Sequence, residues 1–263
     1  MTDAMTEHRT TDDPTEPTPA PRATPRPPSI TTTASIVSGG HLTWLGYTWA
    51  ITAVVFVVVM TLIIRFGGHL DSSLWESAGA SWQRYVIFAA GVTTLPSFLA
   101  MFVGNGVTRS QLSASSTVSM VVVAIAGTAF AIAGFVAEGL IFGSAGWTQV
   151  MDNGYPADSA GGYVVLALRY AVIFSMWFSA GWLIGAGFYR YGFFGGIALI
   201  IPFAIPVLLC ELLVGQAAAS INVDVLTDHL QTPAAIGLLV GIGLVAMNAT
   251  IARAVTRSAA VHT

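Results

Sequence analysis

The chain contains no lysine; all ten of its basic residues are arginines. An ordinary P-loop needs a lysine to reach the β- and γ-phosphates, so this chain cannot hydrolyse a nucleotide that way. A Schiff base to pyridoxal phosphate or retinal is excluded on the same ground. Charge of either sign is scarce: charged side chains make up 9% of the sequence, against about 25% in soluble domains. Basic residues this few and scattered do not form a nucleic-acid surface. The lone cysteine, Cys210, excludes an intrachain disulfide and a cysteine-based zinc cluster, and its apolar surroundings make it a core residue. His41, His69, His229 and His262 fall at span edges, in loops or at the terminus, and His8 in the tail. No serine–histidine site inside the membrane is therefore expected. No acid pair at helical spacing offers a metal site within a span, and the aspartate-rich helix of lipid-headgroup transferases is missing. The chain reads as a non-enzyme with no catalytic, cofactor-binding or metal residues.

What fills the sequence instead is apolar: 54% of its 263 residues are hydrophobic and the mean hydropathy is +0.73. Residues 1–40 read as a disordered cytoplasmic tail, rich in threonine and proline (Pro14, Pro17, Pro19, Pro21, Pro25, Pro27 and Pro28) with almost nothing large to bury. Residues 41–257 read as an all-α, polytopic membrane domain. Helical segments of ~20 residues cross a ~30 Å hydrocarbon core, and six such spans are predicted. They cover about 45–64, 85–103, 117–142, 163–186, 193–213 and 233–251.

The arginines set the predicted orientation. With the N-terminus inside, Arg9, Arg22, Arg26, Arg109, Arg190, Arg253 and Arg257 are cytoplasmic. Only Arg65, Arg84 and Arg169, all at span edges, fall outside, so both termini are predicted inside.

Glu138 is the one acid well inside a predicted span. An intramembrane carboxylate is costly and raises a functional hypothesis; the structural alternative is contact with the outer interface or a pairing with Arg169 at the start of the fourth span. Glu211, near the outer end of the fifth span, invites the same two readings. Small residues recur at four-residue steps, as in Gly181-xxx-Gly185 and Gly237-xxx-Gly241, and let helix backbones approach closely. Pro202 and Pro206 are expected to bend the fifth span.

Between the second and third spans lies a polar island, 104–116, with Arg109 as its one charge. Its junction reads Phe102-Val-Gly-Asn-Gly-Val-Thr-Arg-Ser-Gln-Leu112, and a second tight connection reads Tyr189-Arg190-Tyr191-Gly192. In order and placement these features resemble the small actinobacterial six-span permease subunits of the type-2 (ABC-2) exporter family, over roughly residues 41–257. Two departures are Ser110, where a second arginine is usual, and Leu112, where an aromatic is common. The amphipathic helix that precedes the first span in larger members is not evident in 29–43.

The resemblance implies a translocation path built by a homo- or heterodimer of permeases in the bacterial plasma membrane, surrounded by lipid. It also implies a separate cytoplasmic ABC ATPase docked on the loops. Asn105, Thr108, Arg109 and Gln111 become the coupling contacts, with Arg190 secondary. Two other classes stay open: a non-transporting membrane assembly or immunity factor, and a proton-coupled carrier using Glu138. The second is weakened by the lack of an internal repeat.

Overall fold

The computed structural model describes residues 28–151, 159–214 and 234–259. Every regular element among them is helical: α1 (Ile30–Arg65), a π-helical turn (Trp75–Ala80) running into α2 (Ser81–Gly104), α3 (Arg109–Ala145), α4 (Ala160–Val214) and α5 (Ala234–Arg257). Five helices are long and apolar enough to cross a membrane. The chain is a multi-pass membrane protein by construction.

Three boundaries differ from the sequence reading, each for a local reason. Residues 1–27 of the expected tail lie outside the described residues, but 30–40 are the start of α1. Ser29 caps this helix, its hydroxyl accepting from the Thr32 backbone N–H at 3.2 Å. The threonines that made the stretch look unstructured return their hydroxyls to helix carbonyls, as Thr33 does to Ser29 O at 3.0 Å. Val37 and His41 are buried, and Ser115 of α3 donates to the Ile30 carbonyl at 3.3 Å. The segment 29–43 is thus helix packed on the bundle, where no helix was expected.

The polar island is also shorter than its composition suggested. Only 105–108 connect α2 to α3, and 109–116 form the opening turns of α3. Within them Ser113 and Ser116 donate to the carbonyls of Ser110 and Leu112.

α4 contains the fourth and fifth predicted spans as one element. A straight helix of its 55 residues would reach about 83 Å, but Gly192 breaks it with φ 69° and ψ −167°. This is backbone that only glycine adopts readily. The expected turn 187–192 contracts to that one residue. The two arms then lie side by side: the Trp177 indole N–H donates to Glu211 Oε1 at 2.6 Å, though a straight helix would hold these residues about 50 Å apart.

The arms pack tightly on their neighbours. A Cβ on Gly91 of α2 would lie 2.3 Å from the Phe178 carbonyl oxygen, and one on Gly181 or Gly185 would lie 2.1 Å from the carbonyls of Phe88 or Val92. The small-residue step at 181–185 is therefore a backbone-to-backbone crossing inside the chain. α5 closes on α4 in the same way through Gly237, whose Cβ would meet Leu213 O at 2.3 Å. Trp75, Trp182, Tyr170, Phe135, Phe174 and Phe178 fill the core between these crossings.

Candidate functional site

Polar chemistry gathers at the two ends of the bundle. The near end holds the α2–α3 connection, the Gly192 break and the end of α5, joined by an apolar cluster that includes Val107, Leu112, Ala186 and Ala259. The far end holds the Trp75–Ala80 turn, Glu138 and Glu211.

At the near end, most of the predicted coupling residues have local structural work. Asn105 caps α2 and its side-chain amide donates to Met101 O at 2.7 Å. Gly106 follows at φ 80°. Thr108 and Gln111 form a reciprocal capping box: Gln111 N–H donates to Thr108 Oγ1 at 3.1 Å, and Thr108 N–H to Gln111 Oε1 at 2.9 Å. The Thr-x-x-Gln spacing is a readable helix-start signature, and it would have shortened the island from sequence alone. Arg190 donates to Ser258 Oγ and stands over the Tyr191 ring at 4.8 Å, tying the break in α4 to the end of α5. Arg109 differs from all of these. It is the first residue of α3, half-buried, with no acid in its turn and no hydrogen bond or ion pair among the described residues.

At the far end, Glu138 is fully buried and its carboxylate collects three donors. The Ser73 hydroxyl donates to Oε2, the Trp75 backbone N–H to Oε1 at 2.7 Å, and the Gln149 amide to Oε2 at 2.8 Å. Ser73 in turn accepts from Glu76 N–H at 3.0 Å, so the carboxylate indirectly caps the π-helical turn. Trp75 lies over Gly134, where a Cβ would sit 1.9 Å from the indole, and its ring N–H donates to Ala131 O at 2.9 Å. Arg169 is buried on α4.

The sequence reading did not bring Arg84 and Glu211 together. They form an ion pair of 3.1 Å, with side chains 12% and 5% exposed. Oε1 of Glu211 takes both Arg84 and Trp177, while Oε2 is buried with no hydrogen bond among the described residues. A buried acceptor left without a donor costs about 1–3 kcal/mol. The signal was available: Arg84 opens one predicted span and Glu211 closes another at the same membrane face. Beside the pair lies a cavity of about 440 Å³ whose walls come from α2 and both arms of α4.

His41 is likewise inside the bundle, where the sequence put it at an edge. Its Nδ1 lies 3.0 Å from Ser119 Oγ and its Nε2 3.4 Å from Thr94 Oγ1, with Phe98 and Phe178 edge-on to the ring. Two hydroxyls and two rings make this a packed, satisfied histidine. Among the described residues no group of three His, Cys, Asp or Glu side chains is placed to hold a metal ion. Comparison with protein-family models, with characterised proteins and with solved structures finds no match.

Proposed function

We propose that the chain is the membrane-spanning permease subunit of an ATP-driven, ABC-2-type exporter in a bacterial plasma membrane. On this reading α4 makes two crossings, giving six in all, and both termini and the near end face the cytoplasm. A separate ATPase docks there, and two permeases form the path.

Arg109 carries the proposal. A cation at a helix N-terminus opposes the macrodipole at a cost of about 0.3–1 kcal/mol, so helix stability does not favour it. No acidic group of the described residues compensates it. The capping box fixes the backbone on which it sits, so the charge is presented at a set place on a rigid helix. An acidic patch on a cytoplasmic subunit fits that arrangement, and the lack of any lysine agrees with an ATPase on another chain. Glu138, held by three donors, supports a structural role over proton coupling.

The test is co-purification of the detergent-solubilised chain with the ATPase encoded beside it, for wild type, Arg109→Gln and Arg109→Glu. Recovery should fall with the neutral variant and vanish with the reversed charge. Equal recovery in all three, or none with wild type, would remove the proposal and leave the membrane assembly or immunity factor in its place.

A further inference from the structure

We infer that the acidic N-terminal segment of this chain, residues 3–16, docks on an arginine face at the near end of the bundle. The contact does not rest on the permease reading. Charge is divided between the two ends. Among the described residues the acids are Asp71, Glu76, Glu138 and Glu211, and all belong to the far end. The near end holds Arg109, Arg190, Arg253 and Arg257 and no described acid. Arg109, Arg253 and Arg257 make no hydrogen bond or ion pair among the described residues. Arg253 and Arg257 stand four residues apart on α5, so two like charges share one helix face. Arg190 joins them: it donates to Ser258 Oγ, which donates in turn to the carbonyls of Ala254 and Val255 at 2.9 and 3.1 Å. Val107, beside Arg109 in the α2–α3 connection, and Ala259, just past Arg257, lie in one apolar cluster, so the arginines surround a common centre. The dipole of α5 favours cations at its C-terminus but that of α3 opposes Arg109, so helix ends do not account for the set.

Tether, charge and reach identify the occupant. α1 begins at the near end: Ser115 of α3 donates to the Ile30 carbonyl at 3.3 Å, and Val37 lies in the same cluster as Val107 and Ala259. The N-terminal segment is therefore joined to the bundle at the end the arginines occupy, whichever side of the membrane that is. Five acids (Asp3, Glu7, Asp12, Asp13 and Glu16) and one arginine (Arg9) leave residues 3–16 a net charge of −4. That is equal and opposite to the charge of the four arginines. Residues 17–28 separate Glu16 from the Ser29 cap, and a chain of this length reaches at most about 45 Å. Packed helices lie ~8–10 Å apart, so that reach takes in every arginine of the face. A tether of this kind holds the acids at roughly millimolar effective concentration. Exposed ion pairs are individually weak and screened by salt, so the cover is reversible. An acidic partner would compete for the same arginines; on the permease reading that partner is the ATPase. A lipid phosphate would also suit guanidinium groups, and the experiment separates the two.

The absence of lysine makes the test clean. In the full-length chain, held in phosphatidylcholine nanodiscs, Arg257→Lys keeps the charge and puts the sole lysine of the sequence on the arginine face. A water-soluble carbodiimide then joins that amine to any carboxylate in direct contact, and mass spectrometry of the digested protein identifies the partner. The expected product is an amide between position 257 and an acid of residues 3–16 within one chain, its yield cut about tenfold in ~0.5 M salt. Arg65→Lys, exposed at the far end, should give no link to that segment. Adding Arg109→Gln and Arg253→Gln to Arg257→Lys halves the charge of the face and should lower the yield about fivefold. An unchanged yield in that variant would overturn the inference, since the tether alone would then explain the contact. So would the absence of any link, or a link between two chains in place of one within a chain. Loss of the link when phosphatidylglycerol is added to the discs would also overturn it, by giving the arginines to lipid. The readout needs no ATPase, so its failure and that of the permease reading are separate results.

Discussion

Glu138 and Glu211 stand at the same end of the bundle, both almost wholly buried, and they differ in how their oxygens are used. Both oxygens of Glu138 are engaged, by a hydroxyl, a backbone N–H and an amide. Glu211 has a charged partner and an indole on one oxygen and, among the described residues, no hydrogen bond on the other. Burial alone therefore does not show how a carboxylate is partnered. The donor count does. Glu138 closes the helix ends around it, whereas Glu211 stands beside open space.

The sharpest way to break this contrast leaves both carboxylates in place. Gly134→Ala puts a methyl group where the Trp75 indole lies, and Phe56 and Phe130 hold that ring from other sides. The indole must leave, taking its bond to Ala131 and disturbing the Trp75 N–H on Glu138. We expect a loss of about 3 kcal/mol, at the upper end for overpacking, seen as a large fall in the thermal midpoint in detergent. A midpoint unchanged by Gly134→Ala would mean that the Trp75–Glu138 assembly does not hold the far end together.

The isosteric pair Glu138→Gln and Glu211→Gln tests the comparison itself. At 138 the new NH₂ faces donors whichever way it turns, and one of them loses its acceptor at a cost of about 2 kcal/mol. At 211 the amide oxygen can keep Trp177 and Arg84, while the NH₂ replaces an oxygen that had no donor. The charge is lost, however, and Arg84, only 12% exposed, is left without its counter-ion, so the cost should exceed that at 138, at about 3 kcal/mol. Equal losses in the two variants, measured under one set of detergent conditions, would erase the distinction.

Much of the fold was legible because apolar runs of membrane length have few alternatives as structure. The helix starts were not, and the serines show why. Ser110, Ser113, Ser115 and Ser116 read as loop, yet those at 113 and 116 satisfy themselves on carbonyls within their own helix. Serine is compatible with both states, and only the capping box before them decides. The donors to Glu138 were hidden for a related reason. Ser73 and Gln149 are uncharged, and the third donor is backbone, so none carries a sequence signature. Arg84 and Glu211, by contrast, were readable as opposite charges at one membrane face. What sequence could not supply was their neighbour: the cavity exists only because α4 folds back at Gly192.

The smallest expected effect in stability separates the near end from the far end most cleanly. Every other polar residue of the near-end connection is consumed in capping, whereas Arg109 opposes the dipole of the helix it begins. Arg109→Glu should therefore stabilise α3 by about 0.5 kcal/mol, because an acid in the first turn complements the dipole that the arginine opposes. A rise of a degree or two in the thermal midpoint is the readout, alongside the loss of ATPase recovery. The opposite signs matter more than either size. A residue kept for the fold loses stability and binding together when it is changed; a residue kept for a partner gives up binding while the fold gains. Should Arg109→Glu lower the midpoint, the arginine has a stabilising role on the helix, and its isolation at the near end no longer argues for a docking surface.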